Sequence, residues 1–273
     1  MSTRRAKPPH QGLVQAEVAR RELVSPGFVR VTLQGPQLSL VRPLGHDHWV
    51  RFFLPRGEGS LDRLPASMGL VSYARYRAIP AAHRPVLRNY TVAAVRHDGS
   101  TSELDLEFVL HEPGADGEVG PAAGWAAACV AGDRAALIDE GTTFLAPEDT
   151  GAYLLVGDDT ALPAVAGILR SLPAAARGLA LVEVGHPEDV RELEGPPEVE
   201  VRWVVRSDPQ AVPGAQALER VRELPRPAPD TYAWVAGESA LATGARRHLV
   251  QECGLPKERV TFVGYWRHGR AQY

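Results

Sequence analysis

The 273 residues and 29.5 kDa of this chain fit one large domain or two modest ones at roughly 100 to 200 residues each, and either arrangement can bury a core. Hydrophobic residues make up 44% and charged ones 23%, ordinary globular usage that argues against a disordered or fibrous chain. The formal charge of -3 lacks the basic excess that a phosphate backbone demands, so no nucleic-acid partner is expected.

No apolar run approaches the roughly 18 residues of a membrane-spanning helix. The basic start, MSTRRAKPPHQG, has no apolar stretch behind it, so no secretory leader is expected. A cytoplasmic protein without stable membrane association is expected. The two cysteines, Cys129 and Cys253, lie far apart and outside any CxxC pair, against a disulfide framework, an iron-sulfur cluster or a thiolate-bound metal. Lysine occurs only at Lys7 and Lys257, and arginine supplies the other basic residues.

The first half reads as strands. Residues 13–24 and 28–34 alternate around Ser25-Pro26-Gly27, a hairpin signal, and 48–54 is an aromatic and apolar strand ending at Pro55. The stretch 56–87 is rich in Gly, Pro and Arg and irregular, with a short helix over 70–77. Strands follow at 88–95 and 103–111. In the second, Leu104, Leu106, Phe108 and Leu110 share one face, which packs, while Glu103, Asp105, Glu107, Val109 and His111 share the other, which can meet a ligand or water. A short helix over 122–130 and a strand over 134–138 complete a small antiparallel barrel of six strands.

The second half alternates. Short apolar runs at 153–156, 179–184, 199–205, 232–236 and 260–263 predict strands buried on both faces. Helical stretches separate them at 161–172, near 187–193, at 215–222 and at 240–253. The last carries Leu241, Ala245, Leu249 and Cys253 at i, i+4 spacing and stops at Gly254, with Pro256 beyond. Such alternation implies a parallel, Rossmann-like sheet with right-handed crossovers. The plan is therefore two domains, a barrel over 1–148 and an α/β domain over 149–273.

Three constellations carry chemistry. In Arg88-Asn89-Tyr90-Thr91, arginine offers a planar fork for a phosphate, and the tyrosine two residues on projects to the same face, where its ring can lie against a flat heterocycle. In residues 111–126, HEPGADGEVGPAAGWA, a Gly-rich segment leads into a helix whose first N–H groups can bind phosphate, with Gly120, Ala122 and Ala123 small enough for close approach. In Val156-Gly157-Asp158-Asp159-Thr160-Ala161-Leu162-Pro163-Ala164, a buried strand turns into a helix at the carboxyl edge of the sheet, where ligands collect. Two aspartates there would repel a pyrophosphate, so nicotinamide and its ribose suit this turn better. Asp159 or Thr160 also reads as a helix cap. No acid–base dyad or nucleophile is evident.

These segments, with Glu107-Phe108-Val109-Leu110-His111, Trp234-Val235-Ala236-Gly237-Glu238 and Gly264-Tyr265-Trp266-Arg267-His268-Gly269, resemble the siderophore-interacting protein family, flavin-dependent ferric-siderophore reductases of the ferredoxin reductase-like superfamily. The resemblance spans about residues 14–269. It implies FAD on the barrel, with Arg88 on its phosphate, Asn89 within the same motif, Tyr90 beside the isoalloxazine, Thr91 near the flavin edge, and Val109 and His111 on the strand that contacts it. It implies a pyrophosphate cradle at Gly120, Ala122 and Ala123. Asp158, Thr160, Ala161, Gly237 and Glu238 would line the NAD(P)H cleft. Trp266 would close over the ring system, the competing reading being a core tryptophan of the last strand.

The chain departs from the family pattern at Ala93 and Ala94, where an arginine is common, at Glu112, often glycine, and at Ala123, often serine. Arg246, Arg247, Arg267 and Arg270 are candidates to replace the family's lysine-rich siderophore patch, the first pair reading equally as a solvated helix face, and Arg206 and Ser207 are candidates for a 2′-phosphate contact, against an exposed loop arginine. A nicotinamide gives two electrons at once and ferric iron takes one, so a flavin belongs between them. The implied function is NAD(P)H-dependent reduction of a ferric siderophore by a monomer, releasing Fe(II). The alternatives are a related flavoprotein with a protein electron acceptor and a non-catalytic siderophore-binding module.

Overall fold

The computed structural model describes residues 5–99, 101–110, 120–208 and 210–269. The chain divides into two compact units, one formed by 6–44 and 48–142, the other by the 45–47 segment and the chain from Thr143 onward.

In the first unit β1 (Leu13–Ser25), β2 (Phe28–Gln34), β3 (Trp49–Leu54), β4 (Val86–Asp98), β5 (Thr101–Val109) and β6 (Arg134–Gly141) close into an antiparallel barrel in the order β1-β2-β5-β4-β3-β6. The period of two sorts the side chains. Val14, Val31, Leu33, Phe52, Leu104, Leu106, Phe108 and Leu137 fill the interior. Phe53, Ala136 and Ile138 point the other way, into a second cluster with Leu61 and with Tyr76 of α1 (Leu70–Ala78). The irregular stretch thus covers the outside of β3 and β6, tied down where the Tyr76 hydroxyl donates to the Pro85 carbonyl at 2.8 Å. α2 (Pro121–Ala128) packs Ala122, Ala126 and Trp125 against the barrel core.

The polar face of β5 does not stand open as its alternation suggests. Asp105 and Glu107 are buried beneath arginines of neighbouring strands. Asp105 accepts from Arg96 at 2.6 and 2.8 Å and from Thr32 Oγ1 at 2.8 Å, and Glu107 accepts from Arg30 at 2.7 Å. Acids at every second position of one strand meet bases at matching heights on the next, so the face is sealed by cross-strand pairs.

In the second unit β7 (Ala152–Gly157), β8 (Arg177–Val184), β9 (Glu198–Val205), β10 (Thr231–Glu238) and β11 (Val260–Trp266) form a parallel sheet ordered β11-β10-β7-β8-β9. α3 (Leu162–Ser171), α4 (Ala215–Glu223) and α5 (Ser239–Arg247) accompany it. Burial on both faces is realised most fully in β10, which is buried along its whole length. β9 and β11 are edge strands, and β9 alternates between buried and exposed positions because only one face has a partner. Two helical expectations change. Near 187–193 there is only a 3₁₀ turn at Pro187–Asp189, and the expected helix over 240–253 is α-helical only to Arg247, then winds as a π-helix over His248–Glu252. Among the described residues no helix is long and apolar enough to cross a membrane.

The 45–47 segment joins this unit through the Asp47 carboxylate, the His46 N–H, which donates to Ser171 Oγ at 2.8 Å, and the His46 ring, stacked on Phe144. Asp47 accepts from the Thr143 and Phe144 N–H groups, both at 2.9 Å, from the Thr143 hydroxyl, and from the Trp234 indole at 3.3 Å. Gly167 has no side chain because a Cβ there would lie 2.3 Å from the His46 carbonyl oxygen. Truncating Asp47 leaves two buried backbone donors and an indole N–H unmet, at about 1–3 kcal/mol for each stranded group. Asp47→Ala is therefore expected to lower unfolding free energy by at least about 3 kcal/mol, read by urea denaturation followed through tryptophan fluorescence. An unchanged midpoint would refute this role.

Candidate functional site

Each unit carries part of the predicted constellation. On the barrel, Arg88, Asn89, Tyr90 and Thr91 lie in β4, paired with Phe52, Arg51, Val50 and Trp49 of β3. Arg88 is half-buried, and its guanidinium donates only to the adjoining Leu87 carbonyl at 2.8 Å. Among the described residues it has no carboxylate partner, unlike Arg30 and Arg96 nearby. Asn89 is exposed and Thr91 buried. The Tyr90 ring packs on Phe108, 4.2 Å between centroids, and edge-on to Phe52. Its hydroxyl has no partner among the described residues, and burial pushes its pKa up, so it stays a neutral donor.

The same two phenylalanines hold Trp125 of α2, at 5.3 and 5.7 Å, so the barrel core brings the Tyr90 strand and this helix onto one aromatic cluster. The α2 N-terminus is bare. Gly120 provides no side-chain cap, Pro121 has no N–H to give, and the Ala122 and Ala123 N–H groups find no acceptor among the described residues. A Cβ on Gly120 would meet nothing within 4 Å, so approach to these donors is open. The Ala122 and Ala123 side chains are themselves buried. Val109 is half-buried at the end of β5, paired with Phe28, and His111 lies outside the described residues. One donor in this unit escaped the sequence reading. Trp49, register partner of Thr91, has an indole Nε1 buried with no acceptor among the described residues.

A phosphate-bearing, ring-bearing ligand fits these residues. An unpaired arginine and an uncapped helix start suit the phosphates, and an aromatic strand face suits a flat ring. FAD has both parts.

In the second unit the site residues gather where β7 and β10 end side by side. There the sheet order reverses, the place where ligands bind in open α/β sheets. Asp158 is fully buried and spans the two strand ends. It accepts from the Thr160 N–H at 2.9 Å, from the Thr160 hydroxyl, and from the Glu238 N–H at 2.6 Å. Gly237 is obligatory, since a Cβ there would sit 2.5 Å from the Asp158 carboxyl and its φ is +130°. Ala161 is buried beneath the turn. Glu238, also buried, accepts from Ala240 N–H as the cap of α5 and from His268 N–H at 3.1 Å. Trp266 is half-buried at the end of β11, its carbonyl accepting from Ser239 Oγ at 2.7 Å. The core tryptophan of this unit is Trp234.

Arg206 is neither an exposed loop arginine nor free for a 2′-phosphate. It is buried and paired with two acids, Asp159 at 2.7 Å and Glu183 at 3.2 Å. Glu183 also accepts from the Gly214 and Ala217 N–H groups at the start of α4. Ser207 accepts from Gln216 at 2.9 Å. The sequence held one signal for this triad. Glu183 sits in the otherwise apolar strand LALVEV, and a charge in a buried strand requires a partner.

Residues 17–143 match the siderophore-interacting FAD-binding domain, and residues 150–269 the siderophore-interacting protein family. The chain is 30% identical to the ferric vibriobactin reductase ViuB of Vibrio cholerae over 93% of its own length and 89% of that protein's. This chain belongs to the siderophore-interacting protein family. Its backbone also superposes on that of the siderophore-interacting protein SipS from Aeromonas hydrophila, with a TM-score of 0.72 at 32% identity, covering 95% of this chain and all of that one. The ferredoxin reductase of carbazole 1,9a-dioxygenase shares the fold, with a TM-score of 0.62 at 16% identity over 93% of this chain and 69% of that one. A six-stranded barrel followed by a parallel sheet is thus the ferredoxin reductase-like plan.

Burial, and then the charge of neighbouring Asp159, push the Asp158 carboxyl up to about 7 against the hydrogen bonds that pull it down. An acid whose pKa is raised in the folded state adds stability that is fully present below its unfolded value of about 3.9 and lost as pH rises through the folded one. Wild-type unfolding free energy is expected to fall as pH rises between about pH 4 and pH 7. Asp158→Asn should be less stable overall but lack this slope. Parallel slopes for the two proteins in urea titrations would exclude the shift.

Proposed function

We propose that this protein is an NAD(P)H-dependent, FAD-containing reductase of ferric siderophores acting in the cytoplasm. The observation that carries the reading is the barrel's combination of an arginine without an acid, Arg88, and a helix start without a cap, Gly120 to Ala123, on a segment matched by an FAD-binding domain. The similarity to ViuB, a ferric vibriobactin reductase, supports the substrate class.

In this reading the barrel holds the cofactor. Arg88 would pair with a phosphate, and the Ala122 and Ala123 N–H groups would bind the pyrophosphate. Tyr90 would bear on the ring system, with Thr91 at its edge. When bound, FAD takes electrons in pairs from a nicotinamide and passes them on singly. The protein supplies position and shields the ring from water. The turn at Asp158, Thr160 and Ala161 beside Gly237 and Glu238 would receive the nicotinamide nucleotide. The two carboxylates act there as internal braces, so it is the backbone between them that meets the ligand. Arg206, already neutralised by Asp159 and Glu183, would not select NADPH over NADH.

Ferric iron enters as substrate in its chelate. Hard oxygen ligands hold the ferric ion more firmly than the ferrous ion, so one electron loosens the complex. Arg246, whose guanidinium lies 4.8 Å from the Phe262 ring centroid, and exposed Arg247 and Arg267 provide positive charge for an anionic chelate. Arg270 lies outside the described residues.

Purified protein is expected to be yellow and, with NADH or NADPH, to reduce a panel of ferric siderophores, the ferrous ion being caught by a chromogenic chelator. Arg88→Ala should lower FAD affinity by at least tenfold, measured by flavin fluorescence on titration. Flavin that binds without ferrous release would indicate a different electron acceptor. A colourless wild-type protein that takes up no FAD would overturn the assignment altogether.

A further inference from the structure

The parallel sheet carries chemistry at its opposite edge too. Where β7, β8 and β10 begin lies a cleft of about 190 Å³, lined mainly by carbon from Tyr153, Leu179, Val221, Leu224 and Leu249, with Cys253 on its wall. An apolar cavity of about 150 Å³ takes benzene, so a ring-sized group fits this one.

The π-winding after α5 sets the thiol. In it the Cys253 N–H donates to the His248 carbonyl at 3.0 Å, five residues back, and this wider turn returns Cys253 over His248. Cys253 Sγ lies 3.3 Å from His248 Nε2, and His248 Nδ1 lies 2.9 Å from a Glu252 carboxylate oxygen. With Nδ1–H donating to Glu252, the Nε2 lone pair faces the thiol. Nucleophile, base and orienting acid then stand in working order. Sequence reading found no such group because a spacing of five residues brings side chains together in a π-turn and not in an α-turn. His248 is buried and Cys253 half-exposed.

We propose that Cys253 is a nucleophilic modification site, with His248 its base and Glu252 the residue that orients the base. Its ligands are small apolar electrophiles whose ring-sized portion occupies the cleft. Sγ attacks the electrophilic carbon and the S–C bond forms while the thiol proton passes to Nε2. With a maleimide the electron pair of the C=C bond takes a proton back at the adjoining carbon, and nothing leaves. With iodoacetamide the C–I bond breaks and iodide departs. The charged groups facing the thiol are His248, Glu252 and Arg226. Burial pushes the thiol up, Arg226 pulls it down and Glu252 raises it again, so a reagent meets a neutral thiol that needs the base.

The chain's other cysteine is an internal control. Cys129 is buried in the barrel core with its sulfur against the Ala126 carbonyl. The test is time-resolved labelling of the full-length native protein with N-phenylmaleimide and with iodoacetamide, mapped by peptide mass spectrometry. Cys253 should be labelled and Cys129 spared. The Cys253 rate with iodoacetamide should rise with pH much less steeply than the roughly tenfold per pH unit of an unassisted thiol below its pKa. His248→Gln should cut the pH 7 rate about tenfold and restore that steep rise, and Glu252→Gln should cut it several-fold. Leu224→Trp, which fills the cleft, should slow N-phenylmaleimide and spare iodoacetamide. Labelling of Cys129 flags an unfolded variant, and exposed Glu252 provides the test if His248→Gln misfolds. A wild-type rate that climbs at the unassisted slope and is indifferent to both substitutions overturns the proposal, as does a Leu224→Trp protein that labels equally fast with both reagents. None of these readouts depends on flavin or iron.

Discussion

The carboxylate of Asp158 ties the ends of β7 and β10 together at the point where the parallel sheet changes direction. Two neighbouring parallel strands that lead to opposite edges of a sheet leave a crevice between their onward connections, and backbone N–H groups there lack strand partners. One buried acid meets two of them, Thr160 and Glu238, and Gly237 exists to let it do so. This contact fixes how the two turns leave the sheet. Glu238 caps α5 while its own N–H is held by Asp158, and the turn into α3 starts from the Thr160 bond.

Across the molecule, charge divides into two kinds. Charges taken out of water are met: Arg206 by Asp159 and Glu183, Asp105 by Arg96, Glu107 by Arg30. A buried charge without such a partner costs several kcal/mol, so these groups are fixed by the fold and unavailable to a ligand. Arg88 differs. It is half-buried and, among the described residues, has no acid and bonds only to its neighbour's carbonyl, so no partner neutralises its charge. Counting arginines in the sequence could not separate these two groups, whereas the pairing does.

The barrel applies the same economy with aromatic rings. Phe52 and Phe108 pack both Tyr90 and Trp125, so a single cluster fixes the strand that carries Arg88 and Tyr90 and the helix whose start offers N–H groups. Precision in a site of this kind comes from rigid packing behind it rather than from the contacting residues themselves.

The amino-acid sequence alone determined the architecture. Alternation in residues 103–110 marked a barrel strand, and apolar runs separated by helical stretches marked a parallel sheet, because periods of 2 and 3.6 are local properties that survive without knowledge of partners. Family motifs likewise brought Arg88, Tyr90, Gly120 and Asp158 to notice. Only the tertiary structure decided what the charges do. Arg206 looked like an exposed loop arginine or a phosphate ligand and is neither, since Asp159 and Glu183 reach it from 47 and 23 residues away. The face of β5 looked open and is sealed by arginines of two other strands. The end of the last long helix looked regular, yet it widens into a π-turn that sets Cys253 against His248. Electrostatic pairing and burial depend on which segments become neighbours in space, and a linear pattern records period and composition but not neighbours.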